Sequence, residues 1–387
     1  MKYTLYRCDF RALFCFLLLV HNGHSEEIND TDKQAQNTSP TKAPLGETCV
    51  TNKQLRGRCV KPNECMETED FDDILAKPNA YRSPYVCETS KQCCPRKSII
   101  VPKVPELSTL EGCGWSYSDN PGLRVFSDHA GFREYPWMIA VLRKSTSSEN
   151  FEINDYVAGG TLIHPSVVMT AAHRILKQKA NEVKCRAGEW DIKSTNEVFD
   201  HQERNVKNIT IHETFSFKVA HNNIALLILE QPFDLTNSPH IGIACLGQHM
   251  PPVGTTCISM GWHNHVVGNT NPVTLKKVQL PIYDKQKCQT ELSKLHHLRH
   301  WQIHDSIMCA GGMEGEDTCT GDGGSPIVCE IQSEPELRYA VFGIHAFRIR
   351  CGIKDSLPGL NTDVTYEYDW IKSTFTGEGF NTSTFEY

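Results

Sequence analysis

Six cysteines crowd between residues 49 and 94: Cys49, Cys59, Cys65, Cys87 and the adjacent pair Cys93 and Cys94. So short a segment cannot bury enough apolar surface to stand alone, and covalent cross-links must supply what its core cannot. Zinc is the other common use of clustered cysteine, but neither a Cys-x-x-Cys pair nor a Cys/His alternation occurs here. The segment reads as a small domain stapled by three disulfides, which requires an oxidising compartment.

The start of the chain points the same way. Lys2, Arg7 and Arg11 lead into the apolar run "ALFCFLLLV" over 12–20, with Gly23 and Ser25 as small residues placed for cleavage after Ser25. That run is far shorter than the roughly 20 apolar residues that span a bilayer. Residues 1–25 are expected to be a signal peptide, and the mature protein to be soluble, secreted and extracellular, with no membrane partner. Cys8 and Cys15, two of the 17 cysteines, would leave with the peptide. Sequons at Asn29, Asn37, Asn208 and Asn381 suit a glycosylated surface. A net charge of −7 over 387 residues is mild, and no basic stripe interleaved with aromatics is present. Nucleic acid is therefore not an expected partner. Nor is a metal or cofactor site expected.

Residues 26–48 are polar and rich in Asn, Thr, Lys and Pro, the composition of a disordered arm. After the cysteine-rich segment (49–94), residues 95–112 include "KSIIVPKVPELSTLE", with two prolines and no periodic apolar pattern, and form a linker. From Cys113 onward come short apolar runs divided by Gly, Pro, Asn and Asp, among them "PWMIAVL", "AGGTLI", "SVVMTAA", "NIALLIL", "VTLKKVQLPI" and "AVFGIHAF". Their length and β-branched content predict strands, and a succession of short strands predicts an all-β barrel or sandwich domain over 113–375. "DVTYEYDWIKSTF" predicts one terminal helix, and 376–387 a C-terminal tail.

Four stretches then coincide in order. "GGTLIHPSVVMTAAH", ending at His173, resembles the histidine loop of chymotrypsin-fold serine proteases, and "NNIALLIL" resembles their aspartate strand. "GTTCISMGW" and "TCTGDGGSPIVC" complete the set, and the cysteine gaps of the first segment resemble those of the clip domain that precedes such proteases in arthropods. The resemblance spans the mature chain. It implies a chymotrypsin-like double antiparallel β-barrel, with the active site between the barrels, preceded by a clip domain. It implies the disulfides Cys49–Cys93, Cys59–Cys87, Cys65–Cys94, Cys113–Cys245, Cys257–Cys329, Cys288–Cys309 and Cys319–Cys351. The family's usual bridge beside the histidine is missing at both ends, where Ala158 and Arg174 stand, and Cys185 is left unpaired.

The resemblance also places the catalytic positions, and two of the three are changed. His173 stands at the base. The position of the aspartate that orients the base is Asn223, whose amide offers its N–H to the ring and favours the wrong tautomer, a change that costs about 10⁴ in kcat in a related triad. The nucleophile position is Gly323, and loss of that serine costs on the order of 10⁶. Ser325 stands two residues late, where the chain enters the strand "PIVC", so it is expected to fill a glycine site rather than to attack substrate. The backbone N–H groups of Gly321 and Gly323 remain as donors for a carbonyl or carboxylate.

Asp317 matches the aspartate of a Lys/Arg-specific pocket, but Ala346, Phe347, Arg348 and Arg350 occupy the facing positions, and Arg348 or Arg350 is expected to fill the pocket by pairing with Asp317. Arg124-Val125 matches the activation cleavage site, while Ser127 and Asp128 replace the flexible glycines beyond it; Asp322 stands where the new amine would pair. In "LHHLRHWQIH", His296, His300 and His304 would share one face if helical, though a solvated loop is the expected reading. The resemblance thus implies a secreted, non-catalytic serine protease homologue that binds extracellular proteases, their zymogens or their substrates in an innate-immunity or melanisation cascade. An active trypsin-like endopeptidase using Ser325, or a matrix or adhesion scaffold, are the competing readings.

Overall fold

The computed structural model describes residues 48–50, 56–60, 92–95, 111–117, 129–144, 155–192, 199–262, 274–312, 323–333, 336–347 and 357–387. In the cysteine-rich segment, β1 (Thr48–Val50), β2 (Arg56–Val60) and β3 (Gln92–Pro95) form an antiparallel sheet in which Cys59 pairs in register with Cys93. Cys59, Cys93 and Cys94 are each disulfide-bonded.

The rest of the described chain builds two barrels. The first closes through β4 (Met138–Arg143), β5 (Tyr156–His164), β6 (Val167–Thr170), β9 (Ala225–Leu229), β8 (Gln202–Ile211) and β7 (Val183–Ala187). The runs "MIAVL", "VVMT" and "ALLIL" are buried throughout, as expected of strands with core on one face and packed elements on the other. The second closes through β11 (Thr256–Gly261), β12 (Lys276–Tyr283), β13 (Ile307–Ala310), β16 (Gly359–Asp363), β15 (Arg338–Phe347) and β14 (Pro326–Gln332). A short β10 (Cys245–Leu246) lies parallel to β15 at its margin. The double antiparallel barrel is the fold that the resemblance implied.

Among the described residues, three disulfides fasten this body: Cys113–Cys245, Cys257–Cys329 and Cys288–Cys309. The second joins residues that are register partners on β11 and β14. Cys185 is a free thiol, fully buried on β7, where burial pushes its pKa up and keeps it protonated.

Local details differ from the periodicity. The terminal helix, α3 (Tyr368–Gly377), begins later than residue 363, because Asp363 ends β16 and its carboxylate accepts from the N–H groups of Thr365 and Tyr366. That side-chain turn competes with the helix for the same donors. Residues beyond α3 pack back on the body: Phe385 is fully buried, its ring 5.0 Å from that of Phe375, and its carbonyl accepts from Leu246 N–H. A helix not anticipated from the pattern, α2 (Lys285–Ser293), is capped by Asp284, whose side chain accepts from Lys287 N–H. His296, His300 and His304 do not share a helical face. His296 starts a single 3₁₀ turn over 296–298, and His304 stacks on His221 with ring centroids 4.0 Å apart. Among the described residues no helix is long and apolar enough to cross a membrane.

Candidate functional site

The site begins where β6 runs into α1 (Ala172–Ile175), a single turn that carries His173. Its backbone N–H donates to Asn223 Oδ1 at 2.9 Å, and its ring Nδ1 lies 3.2 Å from that oxygen and 3.0 Å from Asn223 Nδ2. Asn223 is 1% exposed, just ahead of β9, and its carbonyl accepts from Thr362 Oγ1 on β16, so the second barrel helps to hold the first barrel's residue. The Phe347 ring, at the end of β15, lies 4.7 Å from the His173 ring.

Gly323 faces this pair from the turn ahead of β14. A Cβ added to it would stand 3.2 Å from His173 Nε2, so a side chain here would reach the imidazole. The same point is 2.9 Å from Arg174 Cδ and 3.2 Å from Arg174 Cγ. The arginine stem therefore occupies the space beside the vacated side-chain position. The signal for this was legible only as a substitution: Arg174 stands where the resemblance placed a half-cystine.

Ser325 goes elsewhere. It is fully buried, packs against Gly159 on β5 and leaves its Oγ without a partner. Gly324 intervenes with φ +95°, donating its N–H to His345 O, while Ser325 O accepts from His345 N–H. The turn thus sends the residue-325 side chain into the wall of the first barrel. It brings the residue-323 position to His173.

Burial pushes the His173 imidazole down to about 4, with Arg174 and His345 nearby adding to the fall. The ring is neutral at physiological pH, and Asn223 brings no charge to hold a proton on it. Asp317, Gly321, Asp322, Arg348, Arg350, Arg124, Val125, Ser127 and Asp128 lie outside the described residues, as do Cys65, Cys87, Cys319, Cys351, Asn29 and Asn37. Asn208 on β8 and Asn381 ahead of the last turn are both exposed.

A family model described as Trypsin matches residues 125–371. This chain belongs to the trypsin family, as a clip-domain serine protease homologue. Phenoloxidase-activating factor 2 of Galleria mellonella is 40% identical to it over 308 residues, covering 76% of this chain and 98% of that protein. The inactive CLIP domain-containing serine protease A28 of Anopheles gambiae is 30% identical over 328 residues, 82% of each chain. The inactive CLIP domain-containing serine protease A8 of the same species is 32% identical over 273 residues, 69% of this chain and 72% of that one.

Two predictions concern the homologue's buried polar groups. Ser325→Ala removes a buried hydroxyl that bonds to nothing, so it is expected to leave stability unchanged or raise it by about 1 kcal/mol. An unfolding free energy lowered by more than about 1 kcal/mol would show that the hydroxyl is bonded.

The second concerns pH. His173, His201 and His240 are each pushed down to about 4, burial being the main cause. In the unfolded chain they titrate near 6.5. Their folded values are depressed, so their contribution is complete above about pH 6.5 and is lost as pH falls toward 4. Glu367, raised to about 8 by burial and by Asp363 and Glu213, acts with opposite sign, its contribution being lost as pH rises through 8. Three groups oppose one, so the thermal midpoint is expected to fall between pH 6.5 and 4.5, and to fall more steeply in Glu367→Gln. A midpoint that climbs on acidification would contradict this.

Proposed function

We propose that this protein is a secreted, non-catalytic serine protease homologue that acts by binding, as a cofactor or regulator of an extracellular proteolytic cascade of the innate-immunity or melanisation type. Its partners are proteases, their zymogens or their substrates, and its cysteine-rich segment is a clip domain. The observation that carries this reading is the pairing of His173 with Gly323: the imidazole faces a residue with no side chain, beside an arginine stem. Asn223 in contact with Nδ1 supports it, since an amide cannot stabilise an imidazolium as a carboxylate does. The relatives' names support the setting, one a phenoloxidase-activating factor and two inactive proteases.

Two measurements test it. The purified protein, before and after cleavage at Arg124-Val125, is treated with a fluorophosphonate probe and is expected to stay unlabelled. Covalent labelling, at Ser325 or elsewhere, would overturn the non-catalytic reading. Capture from haemolymph-like fluid before and after limited proteolysis is expected to retain proteases, zymogens or their substrates. Retention of matrix components alone would favour a scaffold role.

A further inference from the structure

Strand β8 changes phase in its middle. Val206 is buried in the first barrel's core, so strict alternation would carry Asn208 and Thr210 to the same inner face. Instead Ile209 and Ile211 are the residues that pack against the core. The register gives the reason: Val206 pairs with Leu229 and Asn208 with Ile228, so Lys207 is an extra residue with no place in the ladder to β9. That bulge reverses the alternation and leaves Lys207 and Asn208 both exposed. Asn208 and Thr210, the two recognition residues of a sequon, therefore stand together on the outer face, with Asn208 Nδ2 3.4 Å from Thr210 Oγ1.

A second sequon lies on the same wall. Asn208 Nδ2 is also 3.4 Å from Glu378 Oε1, just past the end of α3. Glu378 is three residues from Asn381, a span of at most about 11 Å. Asn381 Oδ1 accepts from Ser383 N–H at 3.0 Å, which turns that oxygen to the backbone and leaves Nδ2 on the open side of an exposed residue. The fold thus brings two distant sequons side by side, each with its amide nitrogen accessible. The wall is set back from His173 and Asn223. Ala225 pairs with Thr170 in the row that leads into both residues, and Ile228, opposite Asn208, lies about 10 Å further along β9.

We propose that Asn208 and Asn381 both carry N-linked glycans, and that the pair closes the wall of β8 and the end of α3 to protein partners, leaving the cleft side for binding. In the attachment step the amide Nδ2 displaces the diphosphate of a lipid-diphosphate-linked oligosaccharide. A bond forms between Nδ2 and C1 of the reducing-end sugar, and the C1–O bond breaks. The lipid diphosphate leaves with the electron pair, and one amide proton passes to base. The second amide proton stays on nitrogen, so Asn208 keeps a donor for Thr210 or Glu378. A glycan is bulky and hydrophilic, and two of them beside each other exclude a protein surface from the residues between them. This assignment rests on the reading of the protein as a secreted binder.

The test expresses the full chain, with its own leader, in secreting insect cells. The secreted protein is treated with a peptide-N-glycosidase that tolerates core fucose, in heavy-oxygen water, and mapped by mass spectrometry. Asn208 and Asn381 are both expected to appear predominantly as heavy-labelled aspartate. Secretion with either asparagine unmodified would overturn the pair, and retention of the chain inside the cells would defeat the secreted reading and this one with it. Closure of the wall is read by acylation of surface amines with an N-hydroxysuccinimide ester. Lys207 is expected to react about threefold or more slowly in the glycosylated protein than in Asn208→Gln/Asn381→Gln, while the exposed Lys177, beside α1, reacts equally in both. Folded protein deglycosylated by the enzyme serves as a second comparison, so that a folding defect in the double variant is not mistaken for unshielding. Equal Lys207 rates in all forms would overturn the closure. Partner capture separates this from the broader reading. Capture that is lost on deglycosylation would show the glycans to be part of the binding surface and defeat the closed wall. No capture by the natural protein, with both asparagines occupied and Lys207 shielded, would defeat the binding role and leave the glycan pair standing.

Discussion

The double variant Gly323→Ser/Ser325→Gly, which rewrites the loop as Gly-Asp-Ser-Gly-Gly-Pro, is expected to remain unlabelled by a fluorophosphonate and to show no measurable endopeptidase turnover. Its order would be that of an active protease, but two obstacles persist. The added Cβ meets Arg174 Cδ at 2.9 Å and Cγ at 3.2 Å, so the new hydroxyl and the arginine stem compete for one space. A displacement of about 1 Å in a reacting atom costs around 10²-fold. Beyond that, the Asn223 amide nitrogen lies 3.0 Å from His173 Nδ1, and an Nδ1 that accepts from it leaves the ring proton on Nε2, where the ring cannot accept one from the serine. The same change in a related triad costs about 10⁴ in kcat. Adding Asn223→Asp and Arg174→Ala to the double variant should therefore produce the first detectable labelling, mapped by mass spectrometry to position 323. Turnover of the double variant within 10²-fold of the quadruple variant would show that neither Asn223 nor Arg174 blocks the chemistry.

The largest loss of stability is expected from Gly324→Ala. Gly324 sits at φ +95°, where a residue with a Cβ is strained by about 1–3 kcal/mol. The new methyl would also run into Thr170 Oγ1 and the Gly159 carbonyl, which are hydrogen-bonded to each other at 2.7 Å. The Gly159 carbonyl is backbone of the first barrel's β5, so relief requires the turn and the barrel wall to separate. A total of about 4 kcal/mol or more follows, lowering the thermal midpoint by about 10 °C. Gly377→Ala is the matched control: it closes α3, meets nothing within 4 Å, and should be neutral or stabilising by about 0.5 kcal/mol. Comparable losses in the two variants would show that the Gly324 turn is not held as described.

Strand content and, through four ordered motifs, the double barrel are legible in the residues alone. Buried runs such as "ALLIL" mark strands because each residue's fate there depends on its immediate neighbours. The identities at positions 173, 223 and 323 were equally legible, since a missing side chain needs no structure to be noticed. Where side chains point was another matter. Ser325 reads in the sequence as filling a glycine site, and only the contact of its loop with Gly159 on a distant strand shows which wall it fills. Arg174 was legible as an absent half-cystine, but its stem over Gly323 depends on two loops meeting between the barrels. The histidines at 296, 300 and 304 share no helical face, in keeping with the loop reading, but the stacking of His304 on His221 from another segment was not legible. Likewise the residues after α3 carry no pattern that announces a core element, yet Phe385 fills a site beside Phe375 and β10. Short-range pattern encodes which elements form. The direction of a side chain at a turn is decided by contacts between residues far apart in the chain, and those exist only once the two barrels have closed on each other.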